Sequence, residues 1–240
     1  MNFELIDLSF IVILAVAMPL YGVWDFRKLK ARRQAGDTNA GVQWYKMTII
    51  VAWALTLVVA AWWVLASRDF STLGLGFTTE GWGWWVGGLL AVLVCVFLAI
   101  QSVVVLRDPE KIESIRKSST DLAAIIPQNE REARWWPMVS LTAGVCEEVV
   151  YRGFLIAALA TVFNVWIALG LSSIIFGLGH LYQGPSGVLK SGFVGLILGG
   201  LYILTGSLWA PILVHVVVDL NSGVLMQRVM KASVSLEPAS

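Results

Sequence analysis

Titratable residues lie in apolar parts of this sequence, where they are rarely found. The chain has only two histidines, His180 and His215, and each falls within a segment that is apolar enough to cross a membrane. A third such segment contains Glu147, Glu148 and Arg152. A charged side chain in hydrocarbon costs roughly 3 kcal/mol or more, so such residues usually have a function. We therefore take them as the first candidates for a functional site.

The spacing of these residues predicts which of them share a helix face. Glu148 and Arg152 are four residues apart, which predicts an ion pair. Glu147 is rotated by about 100° from Glu148 and lacks such a partner, so it is free to face a cavity as a general base. His215 and Asp219 are also four apart. The alternative to a functional site is a structural role. Glu148 and Arg152 would then be a structural ion pair, and His215 and Asp219 would form an interhelical hydrogen bond, but this leaves Glu147 unexplained.

Carboxylates and imidazoles from three helices could together activate a water molecule. Glu147 would take a proton from the water as it attacks a carbonyl, and His180 or His215 would stabilise the oxyanion. The same side chains, with Asp219, are of the types that bind Zn²⁺ or another divalent metal, although the His-Glu-x-x-His motif is absent. Cys146 points about 100° away from Glu147, and we interpret it as packing rather than as a nucleophile. Hydrolysis of a peptide bond inside the bilayer is the predicted chemistry.

The composition indicates an all-α, polytopic transmembrane helical bundle. The chain is 58% hydrophobic and 14% charged, against about 25% charged in soluble domains. Its mean hydropathy is +0.76. The net charge is +1 and no basic run has nucleic-acid-binding character, so we expect a lipid bilayer and no nucleic acid as partner.

Seven stretches are apolar enough to be membrane spans. They are 8–26, 45–66, 84–106, 136–158, 161–180, 188–205 and 208–227. We predict one structural domain with three parts: 1–135 holds the first three spans and a polar segment, 136–227 is the catalytic core, and 228–240 is a cytoplasmic tail.

Basic residues in alternate loops predict the orientation. By the positive-inside rule the N-terminus is outside and the C-terminus is cytoplasmic, and a prokaryotic inner membrane is expected. Segment 107–134 is the only long polar stretch, with isoleucine and leucine recurring on one stripe. It is predicted to be an amphipathic helix on the cytoplasmic membrane surface, or alternatively a solvated linker. The pair Gly195-x-x-x-Gly199 favours packing within the chain over dimerisation, and the oligomeric state is left open.

Three short motifs resemble those of the CPBP family, which contains CAAX prenyl proteases and bacteriocin-processing enzymes and is also called the Abi family. The resemblance covers about 137–225. The motifs are Glu147-Glu148-x-x-x-Arg152, Phe176-x-x-x-His180 and His215-x-x-x-Asp219.

The resemblance implies an intramembrane endopeptidase that opens to the cytoplasm and cuts a membrane-associated protein or peptide near its C-terminus. It implies Glu147 as the base and Glu148 with Arg152 as a structural or positioning pair. The residues that would line the water or metal site are His180, His215 and Asp219. The prenyl-protein branch often has Asn where this chain has Asp219, and the additional negative charge favours a metal cation.

Two other function classes use similar residues. A proton- or ion-coupled transporter also needs buried Glu, His and Asp side chains. A scaffold of the same fold that binds partners without hydrolysis is the other alternative. The order of the three motifs disfavours the transporter, and an unpaired Glu147 has no purpose in a scaffold.

Overall fold

Helices make up the regular structure of the computed structural model, which describes residues 3–76, 82–118 and 122–234. Within these ranges it contains no strand, which confirms the all-α prediction. The helices are α1 (Leu5–Gln34), α2 (Ala40–Leu65), α3 (Trp82–Leu106), α4 (Pro109–Ser118), α5 (130–160), α6 (Val165–Gly179), α7 (Gly184–Thr205) and α8 (Trp209–Val234). Short 3₁₀ turns are found at Phe70–Leu73, Leu122–Ala124 and Leu181–Gln183.

The described residues include five helices that are long and apolar enough to cross a membrane. They are Leu5–Gln34, Ala40–Leu65, Trp84–Leu106, Leu181–Thr205 and Trp209–Lys231. The apolar helix α6 has 15 residues, and α5 carries the charged motif and changes helix type along its length. The chain is therefore a membrane protein with several spans, and the total of seven stays a prediction.

The polar segment after α3 contains a capped helix. The side chain of Asp108 accepts hydrogen bonds from the backbone N–H groups of Glu110 and Lys111, as expected for a residue that caps a helix N-terminus. Ile112 is buried within α4. The position of this helix at a membrane surface stays a prediction. At the other end of the chain, α8 runs through 228–234 of the predicted tail, and 235–240 lie outside the described residues.

Aromatic packing holds α1, α2, α5 and α6 around one core. Phe154 of α5 is fully buried, and its ring centroid lies 5.4 Å from that of Phe10 in α1 and 6.2 Å from that of Trp63 in α2. Leu169 of α6 belongs to the same cluster. These contacts fix the four helices on the stretch of α5 that follows the Glu-Glu motif.

Glycines allow the remaining helices to approach the site closely. A Cβ atom added at Gly195 of α7 would lie 3.2 Å from Cδ1 of Phe176 in α6, so the glycine stripe packs within the chain as predicted. A Cβ at Gly144 of α5 would lie 3.1 Å from the backbone nitrogen of Val216 in α8. Close approach at this point brings His215 beside α5.

Candidate active site

The Glu-Glu motif lies where α5 changes from an α-helix into a π-helix. The α-helical part ends at Glu147, and Glu148–Leu155 is π-helical and buried throughout. Such segments are rare and are frequently found at functional sites. The hydroxyl of Ser172 in α6 donates a hydrogen bond of 2.8 Å to the carbonyl of Tyr151 within this segment. The change of helix type is not predictable from the spacing of the residues.

Glu148 binds two partners through one carboxylate oxygen. Nη1 of Arg152 donates to Oε1 of Glu148 at 2.9 Å, which confirms the predicted pair. Nδ1 of His215 lies 2.6 Å from the same oxygen. Because a carboxylate accepts, the Nδ1–H group of His215 is the donor. Glu148 therefore orients His215 as well as pairing with Arg152, and its side chain is completely buried.

Phe176 separates the two imidazoles and covers Arg152. The guanidinium carbon of Arg152 lies 4.3 Å from the centroid of the Phe176 ring, and its Nη2 is 3.4 Å from the carbonyl oxygen of Gly195. The same ring is centred 4.8 Å from the ring of His180 and 6.1 Å from that of His215. Cation–π contact and hydrogen bonding offset the burial of this charge. The phenylalanine of the second motif thus has a positioning role that the sequence did not reveal.

Glu147 and Asp219 face the other nitrogen of His215. Oε2 of Glu147 lies 3.8 Å from Nε2 of His215, and Oδ2 of Asp219 lies 3.9 Å from it. These distances exceed a direct hydrogen bond and leave room for a bridging water molecule. Oε2 of Glu147 is buried and has no hydrogen-bond partner in the described parts of the chain. The indole of Trp136 donates to the backbone carbonyl of Asp219 at 3.2 Å and fixes this turn of α8 to α5.

His180 ends α6 with one nitrogen already bound. Its Nδ1 lies 2.9 Å from the carbonyl oxygen of Phe176, so this nitrogen carries the donated proton. Nε2 of the neutral ring is then an acceptor. His180 lines the same cavity as Glu147. The structure thus brings His180 and Glu147 to one cavity, and places His215 and Asp219 beside Glu147.

The cavity has a volume of about 170 Å³ and is closed by helices outside the three motifs. Tyr21 and Asp25 of α1 and Trp44 and Thr48 of α2 form part of its wall. The sequence did not identify these residues, because only the packing of α1 and α2 against α5 brings them to the site. Cys146 also lines the cavity and is buried.

The predicted metal would need several of these side chains around one point. Among the described residues no group of three or more His, Cys, Asp or Glu side chains could hold a metal ion. Nδ1 of His215 is bound to Glu148 and Nδ1 of His180 to the carbonyl of Phe176, which leaves Nε2 of each ring as the nitrogen that could bind a metal. A bound Zn²⁺ therefore stays an untested prediction, and the chemistry below uses only groups of this chain.

A family model described as Type II CAAX prenyl endopeptidase Rce1-like matches residues 129–221. This range contains all three motifs. The match covers less than half of the chain, and it supports the predicted resemblance to the CAAX protease family. No curated protein and no solved structure gives a significant match. The family supports an intramembrane CAAX-type endopeptidase that acts on a membrane-associated protein substrate in a lipid bilayer, and it gives no support to the transporter alternative. Helices α1 and α2, which form part of the cavity wall, lie outside the matched range.

Proposed function

We propose that this protein is a CAAX-type protease that hydrolyses a peptide bond near the C-terminus of a membrane-associated protein or peptide, with Glu147 as general base. One observation carries the proposal: Glu147 lines a cavity and has a buried carboxylate oxygen that is free of hydrogen bonds within the described chain. A buried acceptor of this kind is costly unless a ligand or water molecule occupies it.

Water activation follows from the two groups that share the cavity. Nε2 of His180 would accept a hydrogen bond from a water molecule while Glu147 removes a proton from it. The resulting hydroxide would attack the carbonyl carbon of the scissile bond and form a tetrahedral intermediate. Protonated Glu147 would then return the proton to the leaving amine, which breaks the C–N bond and leaves a new carboxylate.

The oxyanion would be stabilised by His215. Since Nδ1–H of His215 donates to Glu148, only Nε2 is available to the substrate. A proton on Nε2 is favoured by the carboxylates of Glu147 and Asp219 at 3.8 and 3.9 Å. This N–H group would donate to the oxyanion, while Glu148 and Arg152 hold the ring in place.

The proposed location is the prokaryotic inner membrane, with the cavity open to the cytoplasm. Asp25 lines the cavity two residues before the basic run that begins at Arg27. By the positive-inside rule this end of α1 is cytoplasmic. The substrate tail would then enter from the side on which lipidated C-termini are found.

The direct test is cleavage by the purified protein in liposomes made with H₂¹⁸O. The probe is a farnesylated CAAX-type peptide, and mass spectrometry follows both the C-terminal tripeptide and the farnesylated fragment that carries the new carboxylate. We expect release of the tripeptide and one ¹⁸O atom in the new carboxylate. An intact peptide, together with solute accumulation by the same vesicles, would contradict the proposal and favour transport.

Replacing Asp219 tests whether its charge or its hydrogen bonding matters. We expect Asp219→Asn to keep kcat/KM within about tenfold, because the amide oxygen can also accept a hydrogen bond from a water molecule that bridges to His215. Asp219→Leu should lower kcat/KM by roughly 10²-fold, since it removes a polar group beside the oxyanion donor. An inactive Asn variant that is fully folded would show that the negative charge is needed, as it would be for a cation.

A further inference from the structure

The wall that α1 and α2 contribute to the cavity is acidic and aromatic. Asp25 lies there with the rings of Tyr21 and Trp44, and Tyr182 of the turn after α6 adds a third ring. The described lining contains no Lys or Arg, and the carboxylates of Asp25 and Glu147 make it electronegative. A carboxylate surrounded by aromatic rings favours a cationic ligand, because both the charge and the ring faces attract it.

Asp25 is not neutralised by the basic residues that follow it in α1. It forms no ion pair within the described residues, although Lys28 attracts its carboxylate electrostatically. Nζ of Lys28 instead lies 4.3 Å from the centroid of the Trp24 ring. Arg33 is paired with the buried carboxylate of Glu132 at 2.8 Å. The negative charge of Asp25 therefore stays available to a molecule inside the cavity.

Trp44 presents a second unused polar group at the same place. Its indole nitrogen is buried and has no hydrogen-bond partner among the described residues. Asp25 is close enough to interact with this indole, but not in hydrogen-bonding geometry. A buried N–H group without a partner is unfavourable, and a backbone carbonyl of a bound peptide would satisfy it.

We propose that Asp25 and Trp44 form a subsite that selects substrates with a Lys or Arg side chain close to the scissile bond. Asp25 binds the cationic group, and the indole N–H of Trp44 binds the backbone beside it. The subsite rests on the proposed function, since it uses the cavity that contains Glu147. Neither residue belongs to the segment that matches the family.

The test compares farnesylated CAAX-type peptides that carry Lys, norleucine or Glu at each position before the modified cysteine. Norleucine matches the lysine side chain in shape but is neutral. At one position we expect kcat/KM to be about tenfold higher for Lys than for norleucine. Asp25→Asn should bring this ratio close to one, and Asp25→Lys should favour the Glu peptide. The matched control is Glu130→Gln, an exposed acid at the start of α5, which should keep the original ratio.

Binding to the Glu147→Gln protein in nanodiscs separates the subsite from catalysis. Fluorescence anisotropy of labelled peptides should again show tighter binding of the Lys peptide, and the preference should disappear with Asp25→Asn. If the Glu147→Gln protein bound the Lys and norleucine peptides equally at every position, the subsite proposal would be wrong. This outcome needs no measurement on an Asp25 variant. An Asp25-dependent preference in a protein that cleaves no peptide would support the subsite and contradict the peptidase proposal.

Discussion

Replacing Glu147 by glutamine should abolish peptide cleavage and leave the protein folded. The loss in kcat/KM should be roughly 10²–10⁴-fold, which is the usual contribution of a general base. Glutamine has the same shape but cannot take a proton from water. Because the structure gives Glu147 no hydrogen-bond partner through Oε2, little stability depends on its charge. The liposome assay measures the loss, and proteomics of membrane protein C-termini in cells should show uncleaved tails with this variant.

Cys146→Ala is the matched control, because Cys146 is the neighbouring residue and lines the same cavity. Its thiol is buried, and we expect the alanine variant to remain active. Loss of cleavage with Cys146→Ala and retention with Glu147→Gln would reverse the assignment and make the thiol the nucleophile. Identical C-termini in cells that carry folded wild-type or Glu147→Gln protein would contradict the protease proposal.

The sequence predicts well the contacts between residues of the same helix. The i, i+4 spacing of Glu148 and Arg152 is a property of one segment, so their contact at 2.9 Å follows from the helical repeat. The contact between Glu148 and His215 joins residues 67 positions apart. No periodicity gives the relative rotation of α5 and α8, so the sequence assigned Glu148 a single partner instead of two.

Features that arise from helix packing were missed for the same reason. The π-helix at Glu148–Leu155 was not predicted, because the spacing of its residues does not distinguish it from an α-helix. Asp25 and Trp44 stand in apolar or mixed segments without a motif, and only the cavity identifies them. The number of spans is uncertain from sequence because length and hydropathy do not distinguish a short buried helix such as α6 from a full span.

Replacing Arg152 by alanine should destabilise the protein strongly. Removing one partner of a buried ion pair typically costs about 3–5 kcal/mol, because the other charge remains buried without compensation. Glu148 would be that charge, since its side chain is fully buried and its Oε2 has no hydrogen-bond partner in the described chain. Arg152 also fills the space between Phe176 and the carbonyl of Gly195, so alanine would leave a cavity there. Thermal unfolding in detergent micelles measures the effect.

Comparing the stability of Arg152→Ala with that of Glu147→Gln tests whether Glu148 and Arg152 are the structural pair and Glu147 is the base. Glu147 and Glu148 are adjacent, but of the two only Glu148 forms a hydrogen-bonded ion pair within the described residues, so Arg152→Ala should lower the melting temperature far more than Glu147→Gln. Arg116→Ala, which breaks an exposed pair with Glu113, is the control for loss of an arginine and should change stability little. The loss of stability caused by Arg152→Lys should lie between those caused by Arg116→Ala and Arg152→Ala, since lysine keeps the charge but not the planar guanidinium that contacts Phe176. A larger loss of stability for Glu147→Gln would mean that Glu147 holds the fold together and that the base must be sought elsewhere.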